Sequence, residues 1–481
     1  MALHRMLTEN TDTLVDAVYQ DLKKSKHETM FTEIQAVDYE IGYHLEHFKA
    51  WLEPTKAIAY HQPAYANEQL RVEKCPQGVI TAISPWNYPI RLTLLPVVGM
   101  IAAGNVVVIK QSELAVRTTA TLTRLLRQYM DPRICRVVNG GVAETTVLLE
   151  QPVDHICFTG SGQVGKIVAL AAAKIHSALT LELGGKCPAI ISQIDSADLE
   201  TVAKRIVWGK FTNCGQTCLA VDYILVEKTI HAELVNKLKL AVKEFFGETS
   251  KLSPDFGRII SNNHYDRIHS LLSQTKGAFV LGSLDDCDKS DLFIPPTIID
   301  GLTSDDILFT QELFAPILPI LSINSHIDAI QYVNQNPHPL ALYCFTSSEK
   351  VQSLVSNNTR SGSLVFNDTM IHTGSHSVPF GGVGPSGLGS YVGKASIDNF
   401  SHHKTVMIRS ISGLTTKLDD LRYPPFAGPN NEWKATIAAK TLHPVWRVFR
   451  TGWLSKLWTF VPGWRTLSAM PFILKRLITA K

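Results

Sequence analysis

Short apolar strands alternating with helical stretches predict an α/β protein whose parallel sheet is covered on both faces. Val106–Ile109 and His155–Phe158 are compact runs of strand length, rich in β-branched or aromatic residues. Thr118–Tyr129 and Gly165–His176, which separate and follow them, read as helices. A chain of 481 residues, 45% hydrophobic and 19% charged, is globular and too long for one simple core, so two or three domains are expected.

Taken in order, the first fifty residues read as helices: Leu14, Val18 and Leu22 recur four apart, and Ile34, Val37 and Ile41 at three and four. Arg71–Ser84 alternates and then runs apolar, as a strand would. Asp198–Phe211 carries Leu199, Val202 and Ile206 on one helical face, with Asp198 expected as its N-cap. Val221–Val226 reads as a strand, and helices and strands recur to about Val365. The glycine-rich run Gly381–Gly389 reads as a loop, neither helix nor strand. There is no internal repeat. Eight cysteines without a Cys-x-x-Cys pair describe a reduced, intracellular protein without a structural zinc site, and Met1–Asn10 is no secretory signal.

Chemistry gathers at a few places. Asn213-Cys214-Gly215-Gln216-Thr217-Cys218 is poor material for an apolar core and suits a tight loop that presents a thiol. Cys218 and Cys214 compete for that role, and buried core cysteines are the commoner case. Glu182, between two leucines and before Gly184-Gly185, suits a carboxylate in a dry pocket with a raised pKa, able to activate water. Asn87, in Ser84-Pro85-Trp86-Asn87-Tyr88-Pro89, is either a structural turn residue or an amide donor to an oxyanion. Gly160-Ser161-Gly162-Gln163-Val164-Gly165 follows a strand and opens a helix, where backbone N–H groups suit a pyrophosphate. It gives Glu182, about twenty residues on, a rival role at a ribose. Lys110 and Glu113 end another apolar strand, either as a solvated pair or as ligand-binding residues at a sheet's carboxyl edge.

The stretch Asn213–Ala220 with Asp222-Tyr223, the segment Thr180–Lys186, Gly381–Gly384 and Leu421–Pro425 together resemble the aldehyde dehydrogenase superfamily, in its class 3, fatty aldehyde dehydrogenase branch. The similarity runs from about Asp21 to Pro425. It implies a Rossmann-type NAD(P)-binding domain at 1–183, with an oligomerisation strand at about 60–75, and an α/β catalytic domain at 184–395. A small β oligomerisation extension and return segment follow at 396–425, then a tail at 426–481. The resemblance implies Cys218 as nucleophile, Glu182 as general base and Asn87 as oxyanion donor. Lys110 and Glu113 match positions that hold the adenosine ribose, Gly160–Gly165 the diphosphate loop, and Glu312 the nicotinamide ribose. The activity implied is oxidation of aldehydes, medium- and long-chain fatty aldehydes foremost, to carboxylic acids through a Cys218 thioacyl intermediate. NAD is the expected cofactor, with NADP left open: Glu113 disfavours a 2′-phosphate, but its side chain is able to rotate. The chain departs from the family pattern at Gln111, where proline is usual, and at Ala315, where glycine is usual; the Ala315 methyl shifts Glu312 if the glycine's freedom matters there. A homodimer is implied, through strands near Tyr60–Lys74 and Lys404–Ile411.

Net charge is +3, but from Trp433 to Lys481 there are nine Lys or Arg and no Asp or Glu, which leaves 37 basic against 43 acidic residues elsewhere. Trp446, Trp453, Trp458 and Trp464 interleave with those cations. No stretch there is long enough, at roughly 20 apolar residues, to span a bilayer. An anionic membrane surface on the cytoplasmic face is the expected partner of this tail, with docking on the protein itself as the alternative; a nucleic-acid partner is not expected. Two rival functions keep the resemblance: a coenzyme A-acylating dehydrogenase, against which Glu182 speaks, and a non-catalytic scaffold, against which Cys218, Glu182 and Asn87 together speak.

Overall fold

The structure, a computed structural model, describes residues 1–57, 68–411 and 419–441. Three sheets organise it. The first holds six strands in the order Gly387–Leu388, Ala178–Leu183, His155–Gly160, Val79–Ile83, Val106–Lys110 and Cys135–Val138. All neighbours are parallel except the first pair. The second holds seven: Ala278–Leu281, Thr297–Asp300, Ile317–Ile323, Tyr223–Glu227, Pro188–Ile191, Ala341–Phe345 and Ser363–Phe366. These too are parallel apart from the antiparallel edge strand Ala278–Leu281. Pro188–Ile191 and Ala341–Phe345 are buried along their whole length, as strands covered on both faces must be. The predicted α/β class is the observed one.

By internal contacts, residues 1–52 and 75–402 form one compact unit. The second unit is built on the third sheet, Thr55–Ala57, Gln69–Pro76 and Ser401–Ile408. Residues 60–67 of the expected oligomerisation strand, and the tail from 442 onward, lie outside the described residues.

Most predicted elements appear where expected. Leu14, Val18, Leu22 and Val37 are buried in helices Thr11–Leu22 and Gln35–Leu52. A π-helical turn, Met30–Ile34, separates the second of these from a short helix, Lys26–Thr29. Three expectations need correction. Arg71–Ser84 is two strands in different sheets. The chain breaks after Pro76, where Gly78 N–H donates to Asn105 Oδ1 (3.0 Å) and Val79 N–H to Asp154 Oδ2 (2.7 Å). Asp198 precedes helix Leu199–Phe211 but its side chain caps nothing; it ends a 3-10 turn, Ser196–Asp198, and has helical backbone angles. The loop Gly381–Gly389 contains the short strand Gly387–Leu388, which pairs Gly387 with Glu182.

Candidate active site

The thiol loop follows helix Leu199–Phe211. Asn213, Cys214 and Gly215 have φ of 53°, 55° and 72°, three successive residues in the left-handed region. Such backbone costs roughly 1–2 kcal/mol per non-glycine residue and persists only where its surroundings fix it. Here they do. Glu28 Oε1 accepts Asn213 N–H (2.7 Å), and Asn213 Nδ2 donates to the carbonyls of Asn87 (2.7 Å) and Gln216 (3.1 Å). Gln216 in turn donates to Arg258 O and accepts from Ile260 N–H. A β-carbon on Gly215 would lie 2.2 Å from Ala315 O, so this position takes no side chain. The loop turns Cys214 into the core and leaves Cys218 half-buried. Burial, then the nearby Glu182 and Glu312 carboxylates, hold the Cys218 thiol far above its usual value.

Glu182 is the penultimate residue of strand Ala178–Leu183, in register with Thr159 on one side and Gly387 on the other. It is 2% exposed, and neither carboxylate oxygen has a hydrogen-bond partner. Burial pushes its carboxyl up to about 7, with the adjacent Cys218 thiol and Thr159 hydroxyl pulling the other way. An acid and a thiol face one another in a dry site, without a well-formed bond between them.

Asn87 is buried, and its Nδ2 donates to Gln216 O (2.9 Å) within the thiol loop. An amide NH₂ has two donors, so one remains after this bond. The backbone of the Asn87 turn is held from the N-terminal helices. Lys24 and Glu33 form a fully buried ion pair (2.7 Å). Lys24 Nζ also donates to Asn87 O (3.2 Å), and Glu33 Oε2 accepts Ile90 N–H (2.8 Å). Tyr88 Oη and Thr217 Oγ1 (2.8 Å) tie the same turn to the thiol loop.

The other predicted residues fall along the carboxyl ends of the first sheet, where open α/β sheets take their ligands. Gly160 ends strand His155–Gly160 and Ser161 caps helix Gly162–Ile175, accepting Val164 N–H. Around Gly162 a β-carbon would meet nothing within 4 Å, while Gly165 packs on Leu183. Gln163 and Val164 are exposed at that helix start. Lys110 ends strand Val106–Lys110, almost wholly buried, with Nζ on Glu113 Oε2 (2.8 Å). Burial raises the Glu113 carboxyl, but the Lys110 hydrogen bond overcomes this and leaves it below the usual range. Lys110 stands three strands from Glu182 in the sheet, about 14 Å at ordinary strand spacing. Glu312 lies against Gly184, where a β-carbon would sit 2.0 Å from Oε2. Its Oε1 is buried without a partner, and burial with the charge of Asp222 pushes its carboxyl up to about 8, against a bond from Gly185 N–H. Ala315 is fully buried and takes no left-handed φ; that conformation falls on Phe314 (φ 48°) instead. The Ala315 methyl therefore needs no glycine freedom.

An extended dinucleotide fits this layout: open helix N–H groups for a diphosphate, a carboxylate–lysine pair at one end and an orphaned carboxylate oxygen at the other. Sequence reasoning missed several groups that hold the site. Lys186 Nζ bonds Asp222, Leu308 O (2.8 Å) and Gln311 O (2.9 Å), and Asp222 Oδ1 accepts Leu313 N–H (3.0 Å), which clamps both sides of Glu312. Lys186 and Asp222 stood inside the quoted motifs; Lys24, Glu28 and Glu33 lay in a stretch read only for its helical spacing.

Known proteins resemble this chain in sequence and fold. The family model "Aldehyde dehydrogenase family" matches residues 1–406. Aldehyde dehydrogenase family 3 member A2 of Rattus norvegicus is 42% identical over 444 residues, covering 91% of this chain and 89% of the relative. The dimeric NADP-preferring aldehyde dehydrogenase of Rattus norvegicus is 40% identical over 424 residues, 88% of this chain and 91% of the relative. A substrate-bound structure of Staphylococcus aureus AldH superposes with a TM-score of 0.84 at 36% identity, covering 91% of this chain and 93% of that one. With a buried acid facing a loop-borne thiol at the carboxyl edge of a parallel sheet, this chain belongs to the aldehyde dehydrogenase family, in its class 3 branch, and is an NAD(P)-dependent enzyme that oxidises aldehydes.

Proposed function

We propose that this enzyme oxidises aldehydes to carboxylic acids through an acyl group carried on Cys218. The observation that carries this is the pairing of the half-buried Cys218 thiol with the unpartnered, buried Glu182. Glu182, poised near neutrality, takes the thiol proton as the sulfur adds to the aldehyde carbonyl. The oxyanion of the tetrahedral adduct meets the free Nδ2–H of Asn87. Losing one such donor costs roughly 10²–10³ in rate. When bound, NAD(P)⁺ is the hydride acceptor that the oxidation requires; Lys110 and Glu113, Gly160–Gly165 and Glu312 would hold it. Glu182, deprotonated again, then activates water against the Cys218 thioester and the carboxylate leaves. A water-activating acid at this position disfavours coenzyme A as acyl acceptor, because the thioester would be lost to hydrolysis.

Medium- and long-chain, lipid-derived aldehydes are the proposed substrates. Support comes from the Trp-rich basic tail, which suits an anionic membrane surface; among the described residues no helix is long and apolar enough to cross a membrane. A homodimer is proposed through the third sheet, where Met407, Ile408 and Ile411 are exposed, in keeping with the relative named dimeric. The deciding experiment is mass analysis of enzyme trapped with substrate. The acyl adduct is expected on Cys218 and absent in Cys218→Ala, which also loses turnover; an adduct on Cys214 would overturn the assignment.

A further inference from the structure

Two buried donors hold the backbone of the thiol from its core side. Thr217–Ala220 is a tight turn, closed by Ala220 N–H on Thr217 O (2.9 Å), with Cys218 and Leu219 at its corner. The closing bond uses neither corner carbonyl, and a buried carbonyl left unpaired is costly. Here each meets a side chain. The Cys187 thiol donates to Cys218 O (3.3 Å), and the Tyr343 hydroxyl to Leu219 O (2.7 Å). Cys187 and Tyr343 are both fully buried. Burial holds each group well above its ordinary value, so both keep the proton they donate.

The second sheet places both donors. Cys187 immediately precedes strand Pro188–Ile191; its sulfur accepts Ala341 N–H (3.3 Å) and its carbonyl accepts Asp222 N–H (2.8 Å). Tyr343 lies two residues beyond Ala341 on the neighbouring strand Ala341–Phe345, in register with Ala189. With Tyr88 Oη on Thr217 Oγ1 (2.8 Å), the turn is held by side chains at Thr217, Cys218 and Leu219. We propose that Cys187 and Tyr343 are positioning residues for the oxidation: by fixing the carbonyls of Cys218 and Leu219 they fix the direction of the Cys218 side chain and keep its thiol facing Glu182. This rests on the reading of Cys218 as nucleophile. Both residues act through the backbone, and neither exchanges a proton with substrate. The sulfur must meet the same acid twice, first to give up its proton and later, as a thioester, to receive water. A turn free to swivel between those steps would lose the second. Cys187 is thus a second thiol on which activity depends, although it is never acylated.

The test follows alkylation of Cys218 by iodoacetamide as a function of pH, with the modified residue mapped by mass analysis, beside kcat for aldehyde oxidation. In the wild-type enzyme alkylation of Cys218 should climb through pH 7, where Glu182 becomes able to take the proton. In Tyr343→Phe, which removes only the hydroxyl, the rise should move toward about pH 8.5, that of a thiol without a base. Its kcat should fall about 10- to 100-fold, with the KM for NAD(P) unchanged. Cys187→Ala should act the same way more weakly, about three- to fivefold in kcat. Cys187→Ser, which keeps a donor, should restore both readouts; the Cys187 pair carries the test if Tyr343→Phe fails to fold. Wild-type pH profile and kcat in the folded variants, or a Cys187→Ser no better than Cys187→Ala, overturn this proposal alone. Wild-type alkylation on Cys214 in place of Cys218 overturns the functional reading and this proposal together.

Discussion

Neither oxygen of Glu182 has a hydrogen-bond partner, and burial holds its carboxyl up to about 7. Both properties are measurable. The ordinary value in an unfolded chain is 4.5, so between pH 4.5 and 7 the folded protein keeps a proton that the unfolded chain has released. Stability contributed by the neutral acid is therefore complete below 4.5 and is lost as pH rises through 7, by about 3 kcal/mol in all. In Glu182→Gln this slope should vanish: urea melts of the two proteins should run parallel at pH 4 and separate by that amount at pH 8, with the variant the more stable. The same variant should lose thiol activation and thioester hydrolysis alike, giving neither a burst nor steady formation of NAD(P)H, while wild-type kcat/KM climbs through pH 7 as the base deprotonates. A second residue, Glu113, is proposed to bear on cofactor choice. Glu113 stays charged on Lys110, and a 2′-phosphate brought to that pair would meet a like charge. NAD should be preferred over NADP, and Glu113→Gln should lower the KM for NADP about tenfold with little change for NAD; an unchanged NADP KM would place the ribose elsewhere.

Among elements, the N-terminal helices do more than their apolar spacing suggests. The π-helical turn Met30–Ile34 carries Glu33 into contact with Lys24 and the Ile90 N–H, so one buried ion pair fastens these helices to the Asn87 turn. Lys24→Met leaves Glu33 charged and buried, at a cost of about 3–5 kcal/mol. Lys24→Met with Glu33→Leu should recover most of that stability in chemical denaturation. It should not recover turnover, because Asn87 O and Ile90 N–H then lose the partners that aim the amide, and misplacement by about 1 Å costs roughly 10²-fold. Recovery of both would make the pair a structural device only. This contact also marks where sequence reading stopped. Apolar periodicity exposes helix and strand cores, so Leu14, Val37, Val106–Ile109 and His155–Phe158 were legible. A lysine and a glutamate nine apart carry no sign that the fold buries them together. Likewise the turn chemistry of Asn213–Cys218 announced a loop, but which cysteine it presents depends on three left-handed residues fixed by Glu28 and Asn87, distant in sequence. Arg71–Ser84 read as one strand because its alternation runs on across Pro76, and the partners that break it, Asn105 and Asp154, come from elsewhere in the chain. Gly387–Leu388 was hidden because two residues give no period; its identity as a strand comes wholly from pairing with Leu181 and Glu182.

At the scale of the whole molecule, charge divides between a mildly acidic body and the basic stretch from Trp433 onward. The compact unit of residues 1–52 and 75–402 contains every group of the candidate site, so turnover is expected to survive loss of that stretch. The third sheet, with Ser401–Ile408 at its edge, pairs Lys404 with Glu73 across its strands (2.9 Å) and exposes Met407, Ile408 and Ile411 beyond. An edge strand with apolar residues in the open is a surface for a second copy. Removing residues 433–481 should therefore leave aldehyde turnover unchanged and light scattering should still give the mass of two truncated chains, since neither the site nor the edge strand is touched. Sedimentation with vesicles rich in phosphatidylserine should be lost. With nine cations at roughly 1 kcal/mol each near such a surface, wild-type binding should be strong at low salt and fall steeply as salt rises, whereas neutral vesicles should retain only what the tryptophans supply. Vesicle binding that survives the deletion would move the membrane contact onto the body of the enzyme, and a monomeric deletion product would make the tail, not the third sheet, the seam between copies.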